Sequence, residues 1–156
     1  MATTVSVERV IRSEADRLWA SVADVTRMPE WSPETVSATW VDRAEASGVG
    51  ARFEGTNRYG RKTWSTICTV TASEPGRIFA FRVKAGPLAV AEWSYNFEPL
   101  ARGTRVVETW TDRRNALARL VSPLVTGVKD RRTHNRATME QTLDNLERHA
   151  EATARP

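Results

Sequence analysis

Glu108, Tyr95, Trp93 and Trp110 form the pattern in this chain most able to do chemistry. They fall in two strand-like runs, Val90–Glu98 and Thr104–Thr111, joined by Leu100-Ala101-Arg102-Gly103, and this reads as an antiparallel hairpin. With simple register, Trp93, Tyr95 and Phe97 share a face with Trp110, Glu108 and Val106, because strand side chains alternate with a period of two. Glu92, Ser94, Asn96, Arg105 and Thr109 fall on the other face, which suits water. A carboxylate on an aromatic inner face must find a partner or hold a proton. Glu108 is therefore a candidate general acid or base with its pKa raised by desolvation, and Tyr95 a candidate for orienting a carbonyl or phenolic oxygen. The alternative is a structural carboxylate satisfied by Asn135, Arg131 or Arg132.

Other residues extend that pattern. Trp64 and Trp110, with Trp93 and Tyr95, have the ring area to stack on a planar ligand, or to fill an ordinary core. Trp19 and Trp31 read as structural, with Trp31 placed to close one end of a groove. In the C-terminal segment, Val128, Asn135, Met139, Leu143, Leu146 and Ala150 make a helical stripe. Asn135 interrupts that stripe where leucine would pack better in a dry core, a sign of a cavity. The candidate ligand-binding set is thus Trp64, Tyr95, Glu108, Trp110, Arg131, Arg132, Asn135 and Met139.

Between Arg113 and Arg136 the basic residues Arg113, Arg114, Arg119, Lys129, Arg131, Arg132 and Arg136 face one acid, Asp130. An anionic ligand end or an acidic protein partner would account for such an excess, as would a solvated face. Nucleic acid is disfavoured, because the net charge is only +4 and no helix-turn-helix or zinc signature accompanies the cluster. His134 and His149 have no histidine, cysteine or paired carboxylate at ligand spacing, so no metal site is expected, and His134 reads as a surface residue. Glycine-rich nucleotide loops and a Gly-x-Ser-x-Gly elbow are absent from the sequence, and no cofactor is implied.

The elements that must position these residues follow from periodicity and turn chemistry. Val5–Ile11 reads as a strand, and Ser13-Glu14-Ala15-Asp16 as a capping box opening a helix to about Asp24. Pro29 and Pro33 limit the next stretch to a short turn. Strands follow at about Thr35–Val41, Ala51–Asn57, Lys62–Ala72 and Ile78–Val83 before the hairpin above, with Glu45–Gly50 as a glycine-punctuated turn. Ser122-Pro123 reads as the cap and first turn of one helix from about Pro123 to Ala150. At 156 residues the chain fits a single domain, 1–156. It shows no secretory signal and no membrane span, and its single cysteine, Cys68, excludes an internal disulfide, so the expected location is the cytoplasm.

In this order of elements the chain resembles the START-like, or SRPBCC, superfamily and its small bacterial polyketide cyclase/dehydrase-like members. The similarity runs along nearly the whole length. It rests on the strand and capped helix through Ala23-Asp24-Val25, on Pro29-Glu30-Trp31-Ser32-Pro33, Val49-Gly50-Ala51-Arg52-Phe53, Glu74-Pro75-Gly76-Arg77, Trp93-Ser94-Tyr95 and Gly103-Thr104-Arg105-Val106. The resemblance implies an α+β helix-grip fold, a seven-stranded antiparallel sheet wrapped around a long C-terminal helix with a hydrophobic ligand between them. It does not imply a reaction; the function expected is binding or transport of a lipid, acyl chain or polyketide, with cyclase, aromatase or dehydratase chemistry on a ligand held there as the alternative. No catalytic residue transfers with it, since fold does not set function.

Overall fold

The computed structural model describes residues 2–41 and 48–154. Seven strands form one antiparallel sheet in the order β1-β7-β6-β5-β4-β3-β2, so every consecutive pair from β2 to β7 is a hairpin neighbour and β1 closes onto β7. The strands are β1 (Thr4–Ile11), β2 (Thr35–Trp40), β3 (Arg52–Tyr59), β4 (Lys62–Glu74), β5 (Ile78–Ala85), β6 (Leu88–Leu100) and β7 (Gly103–Asp112). The expected helix-grip fold is the one observed. Glu45–Ser47, part of the expected glycine-punctuated turn, lie outside the described residues.

The β6–β7 hairpin has the register expected from alternation: Trp93 opposes Trp110, Tyr95 opposes Glu108 and Phe97 opposes Val106. Because paired residues share a face, whole rows of inward side chains cross the sheet. One row runs Phe79, Tyr95, Glu108, Val7, and the next Phe81, Trp93, Trp110, Val5. Gly103 makes the turn into β7 possible, with φ +137° and a site where a Cβ would run into the Ile11 carbonyl oxygen.

Helix α1 (Ala15–Ala23) buries Leu18, Val22 and Ala23. The expected capping box does not form. Glu14, in extended conformation, is the N-cap, and no side chain caps the helix there. The Ser13 carbonyl instead accepts a hydrogen bond from the Thr104 hydroxyl at 2.8 Å, which ties this corner to β7. A 3-10 turn, Val25–Glu30, follows with Pro29 inside it.

The C-terminal segment differs from the single helix expected. Helix α2 (Ala116–Thr126) and helix α3 (Arg131–Ala154) are separate. The cap of α2 is Asn115, whose side chain accepts from Ala118 N at 2.8 Å, while Pro123 sits inside the helix. Gly127 ends α2 in the left-handed conformation, φ +75°, where L residues are strained. Asp130 then caps α3, accepting from the Thr133 backbone at 3.2 Å and its hydroxyl at 2.8 Å. Helix α3 lies along the inner face against β1 and β7, burying Met139, Leu143, Leu146 and Ala150. No helix of the described residues is long and apolar enough to cross a membrane.

Candidate functional site

A cavity of about 300 Å³ lies between the inner face of the sheet and helices α2 and α3. The sheet supplies rings, Phe53, Trp64, Phe81, Trp93 and Trp110, together with small side chains such as Thr66, Cys68 and Ala91. Ala118, Val121 and Val125 of α2 roof it, and α3 contributes Arg131, Asn135, Thr138 and Thr142. Cys68 is a closed-off thiol, pushed up to about 12 by burial, and therefore not a nucleophile at neutral pH.

Glu108 is the most unusual group on this wall. It is 2% exposed, and its Oε1 accepts a hydrogen bond from the Tyr95 hydroxyl at 2.8 Å. Its Oε2 has no hydrogen-bond partner among the described residues. Burial pushes the Glu108 carboxyl up to about 8; the Tyr95 bond pulls against that shift, and the charge of Glu140 adds to it. Below that pH the carboxyl holds its proton and is itself a donor. Tyr95 is raised well above its ordinary value by burial and by the neighbouring carboxyl. Its single hydroxyl hydrogen is committed to Glu108, so toward a ligand Tyr95 can only accept. The pair is thus a hydrogen-bonded acid rather than an ion pair.

A second polar group stands on the β2–β3 wing of the sheet. Arg131 Nη1 donates to Glu34 Oε1 at 2.9 Å and to Asn135 Oδ1 at 3.3 Å, and its guanidinium carbon lies 5.7 Å from the Trp64 ring centre. His134 is half-buried rather than on the surface, its ring edge-on to Tyr59 at 4.8 Å. Its Nε2 is 3.7 Å from Glu34 Oε1, too long for a hydrogen bond. Burial, with Arg131 adding to it, holds the imidazole below its usual pKa against the pull of Glu34.

Of the sequence candidates, Trp64, Tyr95, Glu108, Trp110, Arg131 and Asn135 come together on the cavity wall, and Arg132 and Met139 do not. Arg132 is exposed, because one residue beyond Arg131 a helix has turned about 100°. Met139 is 1% exposed and packed in the core with Leu143 and Leu146. The expected partners of Glu108, namely Asn135, Arg131 and Arg132, are replaced by Tyr95, since Arg131 is taken by Glu34 and Asn135 by Arg131. Trp31 is buried beside His149 and is not on the wall, although Met28 and Ser32 from the same stretch are.

Sequence reading misses Glu34 and the whole of α2. Glu34 has no local signal, for its partner is 97 residues away. Helix α2 has one: Leu117, Leu120, Val121 and Leu124 recur at helical spacing. Leu117, Leu120 and Leu124 are exposed on its outer side, 59 to 75%.

The basic segment is partly neutralised in space. Arg113 pairs with Glu92 at 2.9 Å and Arg114 with Asp112 at 2.8 Å, besides the Arg131–Glu34 pair. A wider depression of about 960 Å³ lies where Arg12–Asp16, Pro75–Arg77 and Pro99–Thr104 meet. Its ionisable side chains, Arg12, Glu14, Asp16, Arg77 and Arg102, are all exposed, unlike the buried Glu108 of the inner cavity. Among the described residues, no cluster of histidine, cysteine and acidic side chains is arranged to hold a metal ion.

Comparison with known proteins gives a consistent picture. Among solved structures, the Polyketide_cyc-like protein Cgl2372 from Corynebacterium glutamicum is 28% identical, with a TM-score of 0.68 over 99% of this chain and 94% of that one. The two-domain ARO/CYC protein StfQ of the steffimycin biosynthetic pathway is 15% identical, with a TM-score of 0.76 over 99% of this chain and 52% of StfQ. Ara h 8.0201 is 15% identical, with a TM-score of 0.70 over 97% of this chain and 96% of that one. The last two share the fold alone. No curated protein matches the sequence. A family model described as "Polyketide cyclase / dehydrase and lipid transport" matches residues 2–151, and the chain belongs to that family.

Proposed function

We propose that this protein binds a small hydrophobic or aromatic molecule in the cavity between the sheet and helices α2 and α3. The observation that carries the reading is the wall itself: rings and small apolar side chains around about 300 Å³, with few polar groups, most of them committed to one another. That is the composition of a ligand site, where apolar area supplies affinity and a few polar groups supply orientation. The volume is at the small end for such sites and suits a compact ring system better than a long acyl chain. The family description and the ARO/CYC label of StfQ support a cyclic or polyketide-derived ligand.

The test is native mass spectrometry of freshly purified protein with extraction of any co-purifying molecule, alongside titration with naphthalene followed by tryptophan fluorescence. Ala118→Phe places a ring in the cavity from α2 and leaves every sheet residue unchanged. Binding in the wild type that is lost in folded Ala118→Phe supports the reading, and equal binding by both proteins overturns it.

A second reading, cyclase, aromatase or dehydratase chemistry, is favoured by one observation, the buried Glu108 carboxyl hydrogen-bonded to Tyr95. Turnover of a polyketide substrate that disappears in Glu108→Gln while binding persists would establish it. An acidic partner or anionic ligand end has weaker support, because three of the arginines are spent on internal acids. It would rest on the exposed Lys129, Arg132 and Arg136, and would show as salt-sensitive association.

A further inference from the structure

We propose that the Glu108 carboxyl orients the bound molecule by donating a hydrogen bond to it, and that the cavity therefore selects neutral ring compounds carrying a carbonyl oxygen. This inference rests on the cavity being a ligand site and specifies what enters it.

Most of the hydrogen-bonding groups on the wall are already committed. Tyr95 has given its hydrogen to Glu108 Oε1. Arg131 is held by Glu34 and Asn135, and Arg114 by both carboxylate oxygens of Asp112. Thr35 accepts from Ser32 and donates to Asn57. Glu108 Oε2 alone among these groups is buried without a partner, and a buried polar atom in that condition carries a penalty that a ligand group can relieve. With Tyr95 fixed as a donor to Oε1, the carboxyl proton belongs on Oε2, which has no acceptor among the described residues. A ketone, aldehyde, ester or quinone oxygen supplies one, whereas a hydrocarbon leaves the atom orphaned. An ammonium group would require two charges to be buried together, which is expensive unless both are fully hydrogen-bonded.

The surroundings keep the carboxyl neutral. The groups that act on it are Tyr95 on β6 and Glu140 on α3, and the other titratable or charged residues lining the same cavity are Glu34, Cys68, Arg114 and Arg131. On β1 its row neighbour is Val7, and Arg9, next on that face, is spent on Asp144 and Glu147 of α3. Both cavity arginines have their own acids, so no cation is free to ionise Glu108.

The experiment compares two probes of the same shape, 2-acetylnaphthalene and 2-isopropenylnaphthalene, which differ by a carbonyl oxygen against a methylene. Dissociation constants are measured by tryptophan quenching for the wild type, Glu108→Gln and Glu108→Leu at pH 6.5 and 9.5, and the carbonyl stretch of bound ketone is recorded by infrared spectroscopy. The wild type should bind the ketone about tenfold tighter than the alkene at pH 6.5, with the carbonyl stretch lowered, and should lose that preference at pH 9.5. Glu108→Gln, whose amide still donates, should keep the preference at both pH values, and Glu108→Leu should lose it at both. Equal affinity of the two probes in the wild type at pH 6.5 overturns this inference while leaving the container intact. Binding of neither probe overturns the container itself. If Glu108→Leu does not fold, the contrast between the pH profiles of the wild type and Glu108→Gln decides the matter alone.

Discussion

Replacing Glu108 by glutamine should make the protein's stability less dependent on pH, and the size of the effect follows from the burial of this one group. The folded chain holds the Glu108 proton to about pH 8, whereas a free glutamate releases it near 4.5. A group that binds its proton more tightly in the folded state contributes its full stability below the unfolded pKa and loses it as pH rises through the folded one. From 4.5 to about 8 is 3.5 pH units, which at about 1.36 kcal/mol per unit amounts to about 5 kcal/mol. Water drawn in on ionisation shortens that fall, so the measured loss should lie between roughly 2 and 5 kcal/mol. The amide places a donor where the carboxyl proton was and keeps the acceptor for Tyr95, so the variant should match the wild type near pH 4.5 and exceed it increasingly toward pH 8. The assay is urea unfolding of both proteins at half-unit steps from pH 4.5 to 9, plotted as the difference in unfolding free energy. Other titrating groups cancel in that difference. His134, held below its usual pKa by burial, gains stability as pH rises toward the ordinary imidazole value. Asp112, whose burial is outweighed by its bonds from Arg114, loses stability only in acid. Parallel curves for the two proteins would refute the assignment of a protonated Glu108, as would a variant less stable than the wild type at pH 8.

Tyr95→Phe removes the hydrogen bond that Glu108 Oε1 accepts and should destabilise by roughly 1–3 kcal/mol; it should also move the Glu108 titration above about 8, since that bond now pulls it down, as followed by carbon NMR of labelled glutamate. Arg131→Met leaves Glu34 with His134 as its nearest cation, so His134 should titrate at higher pH by proton NMR, with a stability loss of roughly 1–3 kcal/mol. Gly127→Ala forces an L residue to φ +75° at the end of α2 and should cost about 1 kcal/mol, read as a melting temperature lowered by roughly 2–4 °C.

Legibility in the sequence tracked the range over which each signal acts. The Tyr95–Glu108 pairing was readable because both residues sit on one hairpin, where a short loop and a strict period of two leave little freedom of register. The strand limits were readable for the same reason, through proline, glycine and alternation. Glu34 was not, for nothing local to Pro33-Glu34-Thr35 announces an arginine 97 residues on. The division of α2 from α3 was not read: the break falls at Gly127, inside the expected helix, because Ser122-Pro123 imitates a helix start that Asn115 has already supplied. Ser13 misled in the same way, since its neighbour Glu14 is the N-cap and its own carbonyl serves Thr104. Capping motifs describe what a segment can do in isolation, and tertiary partners decide between near-equivalent starts.

The long helix shows how a cavity and a stable core coexist on one element. Its first half turns Arg131, Asn135, Thr138 and Thr142 toward the cavity, while Met139, Leu143, Leu146 and Ala150 fill the core. The two sets interleave on neighbouring faces, so the helix is anchored by one stripe and lines the ligand space with the other. The lining set is small or polar, and that preserves volume: leucine at Asn135 or Thr142 would extend the core into the space the rings enclose. Asn135 cannot swing into the cavity either, because Arg131 holds its side-chain oxygen and Glu34 holds Arg131. On the opposite wing the Tyr95 bond restrains Glu108 in the same manner. Tyr95, Glu108, Arg131 and Asn135 are held by partners before any ligand arrives, which lowers the ordering cost of binding. What is left unsatisfied, one oxygen of Glu108, is then a preset requirement on the ligand rather than a flaw in the core.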